Sequence, residues 1–171
     1  MITFKNEQGI GLVEVMVALF LLSIAVLGFS ALQMTAVRTT DESLMRTRAL
    51  TIMRGGAETM RGHAQAINAF QAALNTPNVG QASSNDCIGA LSCTPDQIAA
   101  KDAAILNQFA ANHGIRLGLH DCPGTSGEQL RKCMIAAWDD TQPSFGADAP
   151  ACANTSGVQH PNANCFVMEA Y

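Results

Sequence analysis

Residues 9–32, GIGLVEVMVALFLLSIAVLGFSAL, decide how the rest of this 171-residue chain is read. Residues 15–32 are eighteen successive positions without a charge, which as a helix span about 27 Å at roughly 1.5 Å per residue. That is close to the hydrocarbon thickness of a bilayer, so the run reads as a membrane-spanning helix. Glu14 stands at its start. A carboxylate within a spanning helix costs up to about 3 kcal/mol, less near an end, and such a residue is read first as functional.

A conventional secretory signal places its cleavage site after an apolar region of roughly 7–15 residues. Here the candidate site, Gly9, closes a polar segment, MITFKNEQG, that precedes the run. The run is therefore expected to stay on the mature chain as an anchor. No cysteine lies near it, which excludes a lipoprotein anchor. Lys5 is offset by Glu7 and Arg38 flanks the far side, so the positive-inside rule gives little help with orientation.

Charge is uneven along the chain. Residues 10–62 carry five Arg against four acids, and residues 63–171 carry four bases against nine acids. An acidic distal part argues against nucleic-acid binding, which needs Lys and Arg to neutralise phosphates. Aromatic residues are only 5% of the chain, so a modest core with added staples is expected. All six cysteines, Cys87, Cys93, Cys122, Cys133, Cys152 and Cys165, follow the apolar run. Disulfides persist in oxidising compartments, which places this part in the periplasm or beyond. Six cysteines leave fifteen connectivities open; the spacings favour three consecutive local pairs.

From Gln33 the apolar run becomes amphipathic. Met45, Ile52, Met60, Ile67 and Leu74 recur at intervals averaging two helical turns. No proline occurs before Pro77, so a single helix is expected from about Ile10 to the low sixties. Gly55-Gly56 is its weak point, allowing either a bend or a close approach of the sheet. Residues 75–92 are turn-rich and hold no period. Thr94-Pro95-Asp96-Gln97 is a capping box with Pro at the first helical position. A helix over about 95–112 follows, with Ile98, Ile105, Leu106 and Phe109 as its expected apolar face and Gly114 as its stop.

After Gly114 the period falls to two. Ile115, Leu117 and Leu119 alternate with Arg116, Gly118 and His120, the pattern of a strand with one buried face. Residues 132–138 and 165–171 are further strand candidates, while residues 139–164 read as mostly irregular. The expected class is α+β: a long N-terminal helix on a small antiparallel sheet with one extra short helix.

No catalytic constellation emerges, and the chain reads as no enzyme, with no cofactor and no metal. His113, His120, Cys122 and Cys133 lack any Cys-x-x-Cys spacing, and disulfides explain the even cysteine count better than zinc. Asp139 and Asp140 are adjacent, so on a strand they would point to opposite faces. Ser126 lies in no nucleophile-elbow pattern, and His63 and His160 are single residues in polar stretches.

Gly9-Ile10-Gly11-Leu12-Val13-Glu14 resembles the class III signal of type IV pilins: a leader ending in Gly, an apolar residue, and Glu five positions on. Ile10-Gly11 stands where pilins more often carry Phe-Thr. The continuation from Glu14 to Gln33, and the stretch Cys93 to Asp102, resemble the PilV-type minor pilins of the type IV pilus modification family. The likeness is strongest over about the first sixty residues.

The resemblance implies a leader at residues 1–9 removed between Gly9 and Ile10 by a prepilin peptidase, with the new Ile10 amine methylated. It implies a transmembrane helix half at 10–35, an amphipathic half at 36–74 and a disulfide-stapled periplasmic head at 75–171. Glu14 would pair with the N-terminal amine of a neighbouring subunit, and a Cys152–Cys165 bridge would correspond to the C-terminal disulfide loop of pilins. The implied partners are inner-membrane lipid, the major pilin, other minor pilins and a tip adhesin; the implied place is the inner membrane and then the pilus. Two alternatives remain: a minor pseudopilin of a type II secretion system, and, from another class, an uncleaved membrane-anchored periplasmic enzyme or sensor.

Overall fold

The computed structural model describes residues 11–76, 87, 93–125 and 131–171. The chain divides into two units, Met1–Ser43 and Leu44–Tyr171. Helix α1, Leu12–Gly62, contributes to both and matches the single long helix expected from the proline-free, two-turn pattern. In the second unit the chain continues through a 3₁₀ turn, Ala64–Ala66, into α2, Ile67–Leu74, and then α3, Pro95–Asn112. Five strands follow: β1 Arg116–Asp121, β2 Lys132–Ala137, β3 Gln142–Phe145, β4 Ala151–Ala153 and β5 Cys165–Glu169.

The main sheet is antiparallel, in the order β1-β2-β5, with Leu119 opposite Met134 and Met134 opposite Met168. One face carries Leu117, Leu119, Met134, Ala136 and Trp138 into a core shared with Ile52, Met53, Met60, Phe70 and Leu74. The expected stripe is therefore the core stripe, with Ile52, Met60 and Leu74 buried and Met45 and Ile67 half-buried against it. It is not one helix, however. The segment 36–74 breaks after Gly62, where the His63 N–H donates to the Met60 carbonyl and the His63 ring donates to Asp102 of α3 at 2.8 Å. A spacing of seven between Met60 and Ile67 survives this break, so periodicity alone did not reveal it.

Gly55 and Gly56 resolve into different roles. Gly55 is exposed, with open space where a Cβ would stand, whereas Gly56 is buried beneath the Leu106 side chain. A Cβ there would lie 2.8 Å from Leu106 Cδ2 and 3.0 Å from Met134 Cε, so Gly56 marks the close approach of α1 to α3 and β2.

The capping box of α3 is present: Gln97 N–H donates to Thr94 Oγ1, and Thr94 N–H donates to Gln97 Oε1. Its buried face is a correction. Ala99, Ala103, Asn107 and Ala110 point inward, Leu106 is half-buried, and Ile98, Ile105 and Phe109 stay exposed. Small side chains let α3 lie close to α2. The Asn107 amide also donates to the carbonyls of Leu74 and Thr76, capping the end of α2 from the side.

A second correction concerns residues 139–164, which are not mostly irregular. They form the parallel pair β3–β4, with Gln142 opposite Ala151 and Phe145 opposite Ala153. This layer packs over the far face of the main sheet, around Ile135, Ala137, Cys152, Ala153 and Cys165. β1 is consequently covered on the side expected to be open: Gly118 is buried under Pro143, and the His120 ring donates to the Pro143 carbonyl at 2.8 Å. Pro143 and the three-residue length of β4 hid both strands from a pattern reading. A third correction is that two α-helices, α2 and α3, follow α1 among the described residues where one was expected.

Two substitutions separate these packing claims. Gly118→Ala would drive its Cβ into the Pro143 carbonyl oxygen and is expected to cost about 2–3 kcal/mol. Gly55→Ala meets no atom and removes a helix-interior glycine, so it is expected to stabilise by about 1 kcal/mol. The fluorescence of the single tryptophan, Trp138, in urea titrations of the full chain reads both.

Candidate assembly site

α1 opens at Leu12, with the Gly11 carbonyl accepting from the N–H groups of Glu14 at 2.9 Å and Val15 at 3.3 Å. Glu14 thereby sits in the first turn, where the unsatisfied amides and the helix dipole favour a negative charge. It is exposed and engages no side chain among the described residues. Gly9 and Ile10, the expected cleavage pair, lie outside the described residues.

After Glu14 the helix presents apolar side chains on every face. Leu19, Phe20, Leu22, Val26, Phe29 and Leu32 are all more than half exposed. The hydroxyls of Ser23, Ser30 and Thr35 donate to the carbonyls of Leu19, Val26 and Ala31 at 2.8, 2.8 and 3.1 Å. These polar groups are thus satisfied within the helix, and the run can enter hydrocarbon or a helix bundle without an unpaired donor. Among the described residues α1 is the one helix long and apolar enough to cross a membrane. Glu14 is the run's single charged group, held where the dipole supports it.

The second unit is built on a stapled frame. Disulfides join Cys87 to Cys93, Cys122 to Cys133, and Cys152 to Cys165. The last closes the β3–β4 layer onto β5 inside the second core, and Cys152 is fully buried. Lys132, buried at the start of β2, donates to Asp121 Oδ1 at 2.5 Å and to Gln71 Oε1 at 2.7 Å. Gln71 and Asn75 donate in turn to the Leu119 carbonyl, and the Leu119 N–H donates to Asn75 Oδ1. The end of α2 therefore acts as a strand partner for the edge of β1.

A cavity of about 400 Å³ is lined by Asn75, Asn107, Arg116, His120 and Pro143 among others. Three of its polar side chains are committed to the frame: Arg116 donates to the carbonyls of Asp139 and Thr141, His120 to that of Pro143, and Asn107 to those of Leu74 and Thr76. Asp139 sits at φ +53° in a turn, its carboxylate accepting from the Asn164 amide. Among the described residues no three His, Cys, Asp or Glu side chains gather as a metal site. What sequence reasoning missed is the exposed row Ile98, Ile105 and Phe109 on α3. Its regular spacing was visible, but the alanines opposite it were the signal of the face that packs.

Two protein families match the chain. The prokaryotic N-terminal methylation motif matches residues 4–30, and the type IV pilin Tt1218 family matches residues 31–104. Residues 4–104 are therefore similar to type IV pilins, and the methylation motif takes in the first part of α1. No curated protein and no solved structure matches the chain.

The Cys152–Cys165 staple has a measurable share in this frame. Replacing both cysteines by serine is expected to cost about 3 kcal/mol from restored loop entropy, with a further loss because Cys152 is fully buried. Urea midpoints of the full chain, read by Trp138 fluorescence, check it.

Proposed function

We propose that this chain is a minor type IV pilin of the PilV kind, a structural subunit that helps prime, cap or modify the pilus. The carrying observation is the coincidence of the methylation-motif match over residues 4–30 with a helix whose first turn holds Glu14 and whose next eighteen residues carry no charge. Cleavage after Gly9 leaves Ile10 as the methylated terminus, and α1 anchors the subunit in the inner membrane with its head in the periplasm. Assembly moves the apolar helix from lipid into a bundle of like helices. In that low-dielectric setting an unpaired carboxylate is strongly unfavourable, so Glu14 takes a positive charge from a neighbouring subunit, the freed amine among them. The stapled head then presents contact surfaces near the pilus tip.

A deletion strain tests the role. Sheared surface pili are expected to be few in the deletion and partly restored when the retraction motor is also removed, the behaviour of a subunit that shifts assembly against retraction. Unchanged pili in both backgrounds would remove this reading and bring a secretion pseudopilin forward. A Glu14→Leu variant is expected to insert and be cleaved yet fail to restore pili to the deletion, as seen by immunoblot of membrane and sheared fractions.

A further inference from the structure

β1 is an edge strand of the main sheet, so its backbone groups alternate between β2 and the outside. The Cys122 N–H donates to the Arg131 carbonyl across the strand pair at 2.8 Å. Even-numbered residues therefore face β2 and odd-numbered ones face outward. Three outward positions lie in a row. At Ile115, just before the strand, the N–H is taken by the Ala110 carbonyl near the end of α3. At Leu119 the Asn75 amide takes the place of a neighbouring strand, accepting from the N–H and donating to the carbonyl, both at 2.8 Å. Leu117, between them, has no partner for either outward group among the described residues. It is 4% exposed and lines the cavity of about 400 Å³ described above. A buried N–H and carbonyl left unpaired are costly, so this position calls for one donor and one acceptor held side by side.

We propose that this gap binds the carboxyl-terminal end of a partner polypeptide, with one extended residue paired to Leu117 and the terminal carboxylate beside Arg116. An extended residue presents its N–H and carbonyl on the same side, which is how a strand adds to a sheet edge. Two observations choose a chain end over a passing strand. The gap is closed on one side by Asn75 and on the other by the end of α3, which leaves room for one paired residue. Arg116 also lines the cavity and forms no ion pair among the described residues. Its Nη2 donates to the carbonyls of Asp139 and Thr141, leaving Nε and Nη1 for a carboxylate.

Leu74 and Pro143 supply an apolar wall for the partner's side chain. A second copy of this chain is not the occupant, because its own terminus is already paired: the Tyr171 carbonyl accepts from the Lys132 N–H, and the Ala170 N–H donates to the Lys132 carbonyl. The site lies in the second unit and stands whether or not the pilin reading holds.

Amide spectra of the full-length chain in detergent micelles, with leucine isotope-labelled, test the site. Before any peptide is added, the Leu117 amide is expected to exchange with solvent at least about tenfold faster than that of Leu119. The probe is a pool of randomised tetrapeptides with free carboxylates, from which a binding member is resynthesised in acid and C-terminal amide forms. The acid form is expected to shift and protect the Leu117 amide, and the amide form to bind about tenfold more weakly. Arg116→Gln is expected to bring the acid form down to the affinity of the amide form, with the Leu119 amide reporting an intact fold. A Leu117 amide as protected as Leu119 at the outset, binding that leaves Leu117 unshifted, equal affinity for the two forms, or no binding from the pool would overturn the site.

Discussion

A helix whose residues 15–32 carry no charge cannot stay uncovered in water, and most of this structure follows from that constraint. Each large apolar side chain left exposed there forgoes about 1.5–3 kcal/mol of burial. Lipid or other helices must therefore take up the N-terminal part of α1. The run meets the condition for either, since its serine and threonine hydroxyls bond within the helix. Glu14 is what remains unbalanced. Its place in the first turn softens the cost of the charge without removing it.

The same helix changes character after residue 44, where one side is buried and the other carries Arg48, Arg54 and Glu58. Gly56 is part of that buried side, at a point where Leu106 of α3 and Met134 of β2 come close to α1. The two glycines look alike in sequence and act differently: one is an approach point, the other an exposed position with space to spare. The head built on this helix is small, and its polar interior is correspondingly exact in its pairing, with Lys132, Gln71, Asn75 and Asn107 each holding a backbone or side-chain partner. Disulfides supply constraint that so modest an apolar core would otherwise have to provide.

Much of this fold was legible because it rests on local rules. The long helix followed from hydropathy and the absence of proline. The start of α3 followed from Thr94, Pro95 and Gln97, and β1 from its alternation. The errors arose where tertiary packing overrode the local pattern. α3 turns its alanines inward because it lies close to its neighbours, so Ile98, Ile105 and Phe109 were assigned to the wrong side. β3 and β4 were missed because a strand containing Pro143 and a strand of three residues carry almost no periodic signal. At the candidate site, Glu14 was legible as a charge out of place, whereas the gap at Leu117 required knowing that Asn75 closes the β1 edge beside it.

The central claim is that α1 leaves the membrane as the processed core of a filament subunit. Intact-mass and N-terminal peptide analysis of the chain recovered from sheared surface pili tests it most directly. The expected result is a terminus at N-methylated Ile10 with Glu14 unmodified in the first tryptic peptide. Recovery of the chain only from membranes, with Met1 through Gly9 still attached, would contradict it.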